Sequence, residues 1–179
     1  MTEVPNVLAG GGAPATYEDL LDRLSDLGIE VQTIEHQPVF TVDEAKAHRG
    51  KLEGAHTKNL FLRDKKKRMW LVVCREDRSV DLKKLPAVIR SGRLSFGSAQ
   101  RLMENLGVIP GAVTPFAVIN DHGLNVQVAI ERGLLDDTAW NFHPLDNART
   151  TSIQPQDMLR FLEALEHTPQ LVDLGSATR

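Results

Sequence analysis

Three short stretches of this chain combine polar side chains with breaks in regular structure, the places where functional residues gather. In His56-Thr57-Lys58-Asn59-Leu60-Phe61-Leu62 a lysine stands where a loop becomes an apolar strand. Its stem can lie along a sheet while its ammonium points into a cleft. In Gly111-Ala112-Val113-Thr114-Pro115, Gly111 permits unusual dihedrals and Pro115 stiffens the exit, so backbone N–H and C=O groups there could face a ligand. In Asn141-Phe142-His143-Pro144-Leu145-Asp146-Asn147 an imidazole is held just before a proline at the end of a short strand. Each stretch taken singly also reads as ordinary structure: Lys58 as a solvated strand-end lysine, the loop as a tight connection, His143 as a histidine hydrogen-bonded for structure.

Other chemistries lack their signatures. The chain has no glycine-rich phosphate loop, no HExxH and no serine elbow. Its six histidines fall at no zinc-like spacing with each other or with the single cysteine, Cys74, so neither a metal nor a cofactor is expected. Cys74 sits in the apolar run from Met69 and reads as a buried structural thiol. The net charge of -3 provides no global positive field, so any contact with nucleic acid must be local. The first residues show no basic segment followed by an apolar stretch, and no run of about 18 apolar residues occurs, so a cytoplasmic protein without a membrane partner is expected.

The elements that would position these groups follow from capping and periodicity. With 179 residues, of which 41% are hydrophobic and 25% charged, one domain is the default, and a monomer is expected. Residues 1–15 carry Pro5, Gly10 to Gly12 and Pro14 and read as a flexible leader. The folded unit is placed at 16–167, with 168–179 as a loosely attached tail. Thr16 with Asp19 opens a helix bearing Leu20, Leu21, Leu24 and Leu27 and stopped by Gly28. Ile29 to Glu35 predicts a strand, and Thr41 with Glu44 a short helix through about His48 with Val42 and Ala45 on its inner face. Asn59 to Arg63 and Met69 to Arg75 predict a hairpin around a polar turn. Asp81 is expected to cap a helix through Ile89, and Ser98 another that stops at Gly107. Pro115 to Ile119 and Leu124 to Ile130 predict a second hairpin, followed by short strands at Thr138 to Phe142 and Thr150 to Ile153 and a helix from Pro155. Hairpins with interspersed helices make this an α+β fold with a mixed, mainly antiparallel curled sheet.

In combination and order, Lys58-Asn59-Leu60-Phe61-Leu62, the GxxxP loop Gly111 to Pro115, and Phe142-His143-Pro144-Leu145 with Asn147 resemble the YbaK-like aminoacyl-tRNA editing family, within it the stand-alone prolyl-tRNA editing proteins that deacylate alanyl-tRNA(Pro). The resemblance spans about Tyr17 to Glu166. It implies an ester hydrolase with Lys58 as the essential pocket lysine, the Gly111 backbone engaging the reacting end, His143 as a pocket wall, and Asn59 and Thr114 as supporting polar contacts. It also implies the acceptor end of proline tRNA as partner, and leaves open delivery by a prolyl-tRNA synthetase. A cavity bounded by Val42, Ala45, Ala112 and His143, with Pro115 at the loop exit, is expected to accept alanine and refuse proline by size. Lys65, Lys66, Lys67 and Arg68 are the candidates for acceptor-stem phosphates, although a solvated turn explains them too. Two rivals remain at this point: the same hydrolysis on another mischarged tRNA, such as cysteinyl-tRNA(Pro), and a non-catalytic tRNA-binding module.

Overall fold

Helix α1 (Tyr17–Asp26) begins as the capping pattern requires: the Thr16 hydroxyl accepts the Asp19 N–H, and the Asp19 carboxylate accepts the Thr16 N–H at 2.8 Å. In this computed structural model, which describes residues 3–38 and 53–178, Leu20 and Leu24 of that helix are buried against the sheet. Strand β1 (Gln32–Glu35) starts later than the alternation from Ile29 predicts. The Ile29 N–H is taken by the Leu24 carbonyl at 2.9 Å in the helix exit, so that residue closes α1 instead of opening the strand. The helix predicted from Thr41, with Val42 and Ala45, lies outside the described residues.

The first hairpin is present and longer than predicted, with β2 (Ala55–Asp64) antiparallel to β3 (Met69–Arg75) and Lys58 opposite Cys74. Its turn is organised by a buried acid. Asp64 Oδ1 accepts the N–H groups of Lys66 (2.9 Å) and Arg68 (3.0 Å), while Oδ2 accepts Arg68 Nε and the Gly92 N–H. Helix α2 (Leu85–Ile89) starts a turn after Asp81, whose carbonyl accepts the Leu85 N–H at 3.0 Å in a preceding turn. A short strand that the sequence did not reveal, β4 (Leu94–Phe96), pairs antiparallel with the end of β2. Helix α3 (Ala99–Leu106) is capped by Ser98 and stopped at Gly107, as predicted.

The second hairpin does not form. Pro115–Asn120 is a 3₁₀ helix, opened by the Thr114 hydroxyl accepting the Phe116 N–H. Phe116, Ala117 and Val118 are all buried, and a run buried on every side carries no period by which strand and helix can be told apart. Strand β5 (Val126–Glu131) therefore has no hairpin partner and lies parallel to β3 on one side and to β8 (Gln170–Val172) on the other. The segment expected to be a loose tail thus supplies a strand and buries Val172, Leu174 and Ala177. The expected leader is also tied down, through the Ala9 N–H to the Glu104 carbonyl and the Ala15 N–H to Asn120 Oδ1.

Strands β6 (Trp140–Phe142) and β7 (Arg149–Ile153) precede helix α4 (Pro155–Ala164). The sheet runs β1-β7-β6-β2-β3-β5-β8, with β4 beside β2. Pairings β1–β7, β7–β6, β2–β3 and β2–β4 are antiparallel and β6–β2, β3–β5 and β5–β8 parallel, a mixed sheet in which antiparallel register predominates. One face carries α1, α3, α4 and the 3₁₀ helix over Phe61, Leu71, Val73 and Phe142. The other face carries α2 and the C-terminal segment over Leu62, Val72 and Cys74. Burial pushes the Cys74 thiol up to about 12, which fits an inert structural cysteine.

Candidate active site

Strand β2 changes neighbour along one edge. Its start lies parallel to β6, at Ala55↔Trp140 and His56↔Asn141, and its end pairs with β4 at Leu62, Arg63 and Asp64. Between these contacts the edge from Lys58 to Leu60 has no strand partner among the described residues, and the Gly97 N–H closes the far lip by donating to the Phe61 carbonyl at 2.9 Å. The sheet is therefore split at the lysine. Continuing the β2–β6 register by two residues brings His143, the residue after β6, level with Lys58.

The near lip is clamped by side chains. Thr57 Oγ1 donates to the Asn141 carbonyl at 2.9 Å, and Asn141 Nδ2 donates to the carbonyls of Glu53 (3.1 Å) and Ala55 (3.2 Å). Gly54, with φ +99°, approaches Ala139 so closely that a Cβ would run into its carbonyl. Lys58 itself is half-buried and makes no hydrogen bond or ion pair among the described residues. Alternation sends it to the face of Leu60, Leu62 and Cys74 and sends Asn59 to the face of Phe61. The Asn59 Oδ1 is buried there without a hydrogen-bond partner among the described residues. A buried acceptor left unmatched costs about 1–3 kcal/mol unless a ligand or water supplies the donor.

His143 Nδ1 lies 2.8 Å from the Arg149 carbonyl. A carbonyl only accepts, so Nδ1 carries the proton and Nε2 is the ring's acceptor. Burial is the largest influence on this imidazole and holds it below the ordinary histidine range; the Arg149 carbonyl opposes that shift. The ring is therefore neutral at pH 7. His36 stands beside it, ring centroids 6.1 Å apart, with Nε2 at 2.8 Å from the Thr150 hydroxyl. The loop that follows is fixed by Asp146, whose carboxylate accepts the Ala148 N–H (3.0 Å) and an Arg149 Nη1–H (2.6 Å), and Asn147 Nδ2 is buried without a partner among the described residues.

The glycine-proline loop is a 3₁₀ turn at Pro110–Ala112 leading into the Pro115 helix. Ala112 and Thr114 are fully buried and Pro115 is buried; Ala112 and Phe116 pack into the cluster with Phe61 and Phe142, the Asn59 side of β2. The Thr114 hydroxyl is fully buried and used in capping, which leaves the polar contact expected of it without a free hydroxyl to make it. The extended register sets Lys58 and His143 at the same level of the split, whereas the loop packs on the opposite, Asn59 face of β2. Reading single stretches missed His36, Thr57 and Asn141, whose role in the lips depends on pairing across the sheet. The signal for His36 was present: like His143, it directly follows a strand, with a proline, Pro38, two residues on.

The sequence profile of the aminoacyl-tRNA editing domain matches residues 36–161. This chain belongs to that family. Prolyl-tRNA synthetase associated domain-containing protein 1 of Danio rerio is 40% identical to the editing domain chain over 169 residues, 92% of each protein. The prolyl-tRNA editing protein ProX of Acetoanaerobium sticklandii is 36% identical over 156 residues, 87% of this chain and 95% of its own. A crystal structure described as a candidate trans-editing enzyme for prolyl-tRNA synthetase shares the fold, with TM-score 0.67 at 16% identity over 91% of this chain and all of that one.

The editing domain carries its lysine-rich turn at the other end of β2, about 20 Å from Lys58 by strand rise. Lys65, Lys66 and Lys67 are exposed. Arg68 is committed elsewhere: its guanidinium pairs with Asp64 at 2.9 Å and lies 5.1 Å over the Trp70 ring. Among the described residues no cluster of His, Cys, Asp and Glu is arranged to hold a metal, and no helix is long and apolar enough to cross a membrane.

Proposed function

We propose that this editing domain is a free-standing deacylase that hydrolyses the aminoacyl ester of mischarged proline tRNA, with alanyl-tRNA(Pro) as principal substrate. The observation that carries this reading is the Lys58 ammonium in the split of the sheet, without an ion-pair or hydrogen-bond partner among the described residues and at the level of a neutral His143 when the β2–β6 register is continued. The family assignment and the names of the relatives, which refer to prolyl-tRNA synthetase or prolyl-tRNA editing, support it.

An aminoacyl ester is already activated, so the enzyme must position water, stabilise charge and exclude wrong substrates. Water attacks the ester carbonyl, the bond from that carbon to the ribose oxygen breaks, and the proton returns to the ribose hydroxyl as the amino acid leaves. Lys58 is assigned to phosphate or ribose oxygens of the terminal adenosine, and the Gly111 backbone, which packs on the opposite face of β2 with Thr114 and Pro115 holding the loop, is assigned to the attacking water through the split between β6 and β4. Asn59 offers its unpaired Oδ1 as an acceptor. An adjacent ribose hydroxyl of the substrate assists, as in the family this chain resembles, so no dedicated nucleophile is required. The decisive test is hydrolysis of purified alanyl-, cysteinyl- and prolyl-tRNA(Pro). Preferential release of alanine supports the reading, preference for cysteine replaces the substrate, and tRNA binding without hydrolysis of any ester overturns it.

Size is expected to select against proline through His143; Ala112 is fully buried in the core beside Phe61, and Val42 and Ala45 lie outside the described residues. A missing methylene of contact is worth only about 1–3 kcal/mol, whereas a wall that blocks the larger ring adds repulsion. His143→Ala is therefore expected to hydrolyse prolyl-tRNA(Pro) at least about tenfold faster than wild type. Unchanged discrimination in a competition assay removes His143 from the wall.

The acceptor stem would meet Lys65, Lys66 and Lys67, with Arg68 contributing least because Asp64 already holds it. A Lys65→Ala/Lys66→Ala double variant is expected to weaken tRNA binding and to flatten the dependence of log Kd on log salt by about 1.4 to 1.8 units. Titrations at several salt concentrations measure both, and an unaltered slope places the phosphates elsewhere.

A further inference from the structure

Phe96 is 65% exposed, the most exposed of the large hydrophobic side chains among the described residues. It lies on β4 directly opposite Leu62, hence on the face of β2 that also carries Leu60 and Lys58. It stands on the far lip of the split, about 13 Å along the strand from Lys58 and about 10 Å short of the lysine turn. The chain behind it is held to β2: the Gly97 N–H donates to the Phe61 carbonyl, and the Phe61 ring lies so close that a Cβ on Gly97 would overlap it.

The surroundings are basic. Residues 60–68 and 90–96, joined by the β2–β4 pairing, contain seven Lys and Arg against one acid, Asp64. That acid is 3% exposed and bonded to Arg68. In a chain of net charge -3 this is a local positive strip with an aromatic ring at its middle. Aromatic rings beside a cationic track hold unpaired nucleotides, because every base offers a face for stacking. A folded protein partner would gain little from one ring bordered by lysines, since interface cores are depleted of charge.

We infer that Phe96 is a stacking platform for a base in the unpaired 3′ end of the tRNA, one of the nucleotides between the terminal adenosine at Lys58 and the paired stem at the lysine turn. The inference rests on the deacylase reading, and it adds a residue that positions the strand by stacking alone, without taking part in the hydrolysis.

The test compares wild type, Phe96→Ala, Phe96→Leu and Phe96→Trp on full-length alanyl-tRNA(Pro) and on alanine esterified to a single adenosine, which lacks the inner nucleotides. Phe96→Ala and Phe96→Leu are expected to raise KM for the full tRNA about 5- to 150-fold and to leave hydrolysis of the adenosine ester unchanged. Phe96→Trp should keep wild-type KM. The salt slope of tRNA binding should not move, because no charge is removed. Equal losses on both substrates, or full activity of Phe96→Ala on tRNA, overturn the inference, the second outcome leaving the exposed ring to some other partner. Wild-type protein that hydrolyses neither ester instead defeats the deacylase reading, so the two failures are distinguishable.

Discussion

Lys58→Ala is expected to lower kcat/KM for alanyl-tRNA(Pro) by about 10²- to 10³-fold, the cost of removing one preorganised charge-stabilising group from a hydrolytic site. It should do so without unfolding the protein. Lys58 has no ion-pair or hydrogen-bond partner among the described residues, so truncation strands no buried charge, and a half-buried side chain of this kind costs about 0.5 kcal/mol or less in stability. Lys58→Met keeps the apolar stem beside Leu60 and should be as inactive as alanine, separating charge from packing. Lys58→Arg should recover only part of the rate, because a planar fork cannot place its charge where a compact ammonium sits. Single-turnover hydrolysis, with circular dichroism to verify the fold, measures all three. A folded Lys58→Ala protein with the wild-type rate would remove the cation from the mechanism.

Local signals in the sequence translated directly into structure where the physics is local. The Thr16–Asp19 capping box, the Ser98 cap, the Gly107 stop and the hairpin around the Lys65–Lys67 turn each depend on residues within a few positions of one another. The run Pro115 to Ile119 misled because burial on all sides removes periodicity, and Thr114 with Pro115 favours a tight helical start over a strand. Strand β8 went unseen because Gln170–Val172 is held by pairing with β5, about forty residues earlier, and three residues carry too little pattern of their own.

The site divided along the same line. Lys58, the Gly111 loop and His143 were proposed as site residues from residue type and order along the chain. The split that makes Lys58 accessible was not, because it arises where β6 stops and β4 has not begun. Its near lip depends on a bond between Thr57 and Asn141, residues 84 apart in sequence. The commitment of Arg68 to Asp64 was hidden for a different reason. Nothing in the string Asp64 to Arg68 says that the acid will be buried by Gly92 and the turn closed around it.

Phe116→Ala is expected to cost about 3–5 kcal/mol of stability, on the order of 10 °C in Tm for a domain of this size. The ring is fully buried, and it meets Phe142 edge-on at 5.9 Å and Phe161 at 5.6 Å. It therefore ties the helix that follows the glycine-proline loop both to α4 and to the last residue of β6, immediately before His143. Removing it opens a cavity that the rigid strand and helix on either side cannot fill by collapse. Phe116→Leu should cost roughly half as much, since most of the volume is kept while the edge-to-face contacts are lost. Denaturant midpoints with an unchanged slope would report the packing loss alone. Because the same ring braces the Gly111 loop against the strand that presents His143, the alanine variant should also hydrolyse alanyl-tRNA(Pro) more slowly at temperatures where it remains folded. A loss of under about 1 kcal/mol would mean that the core around Phe116 repacks freely and that the loop and the histidine are positioned independently.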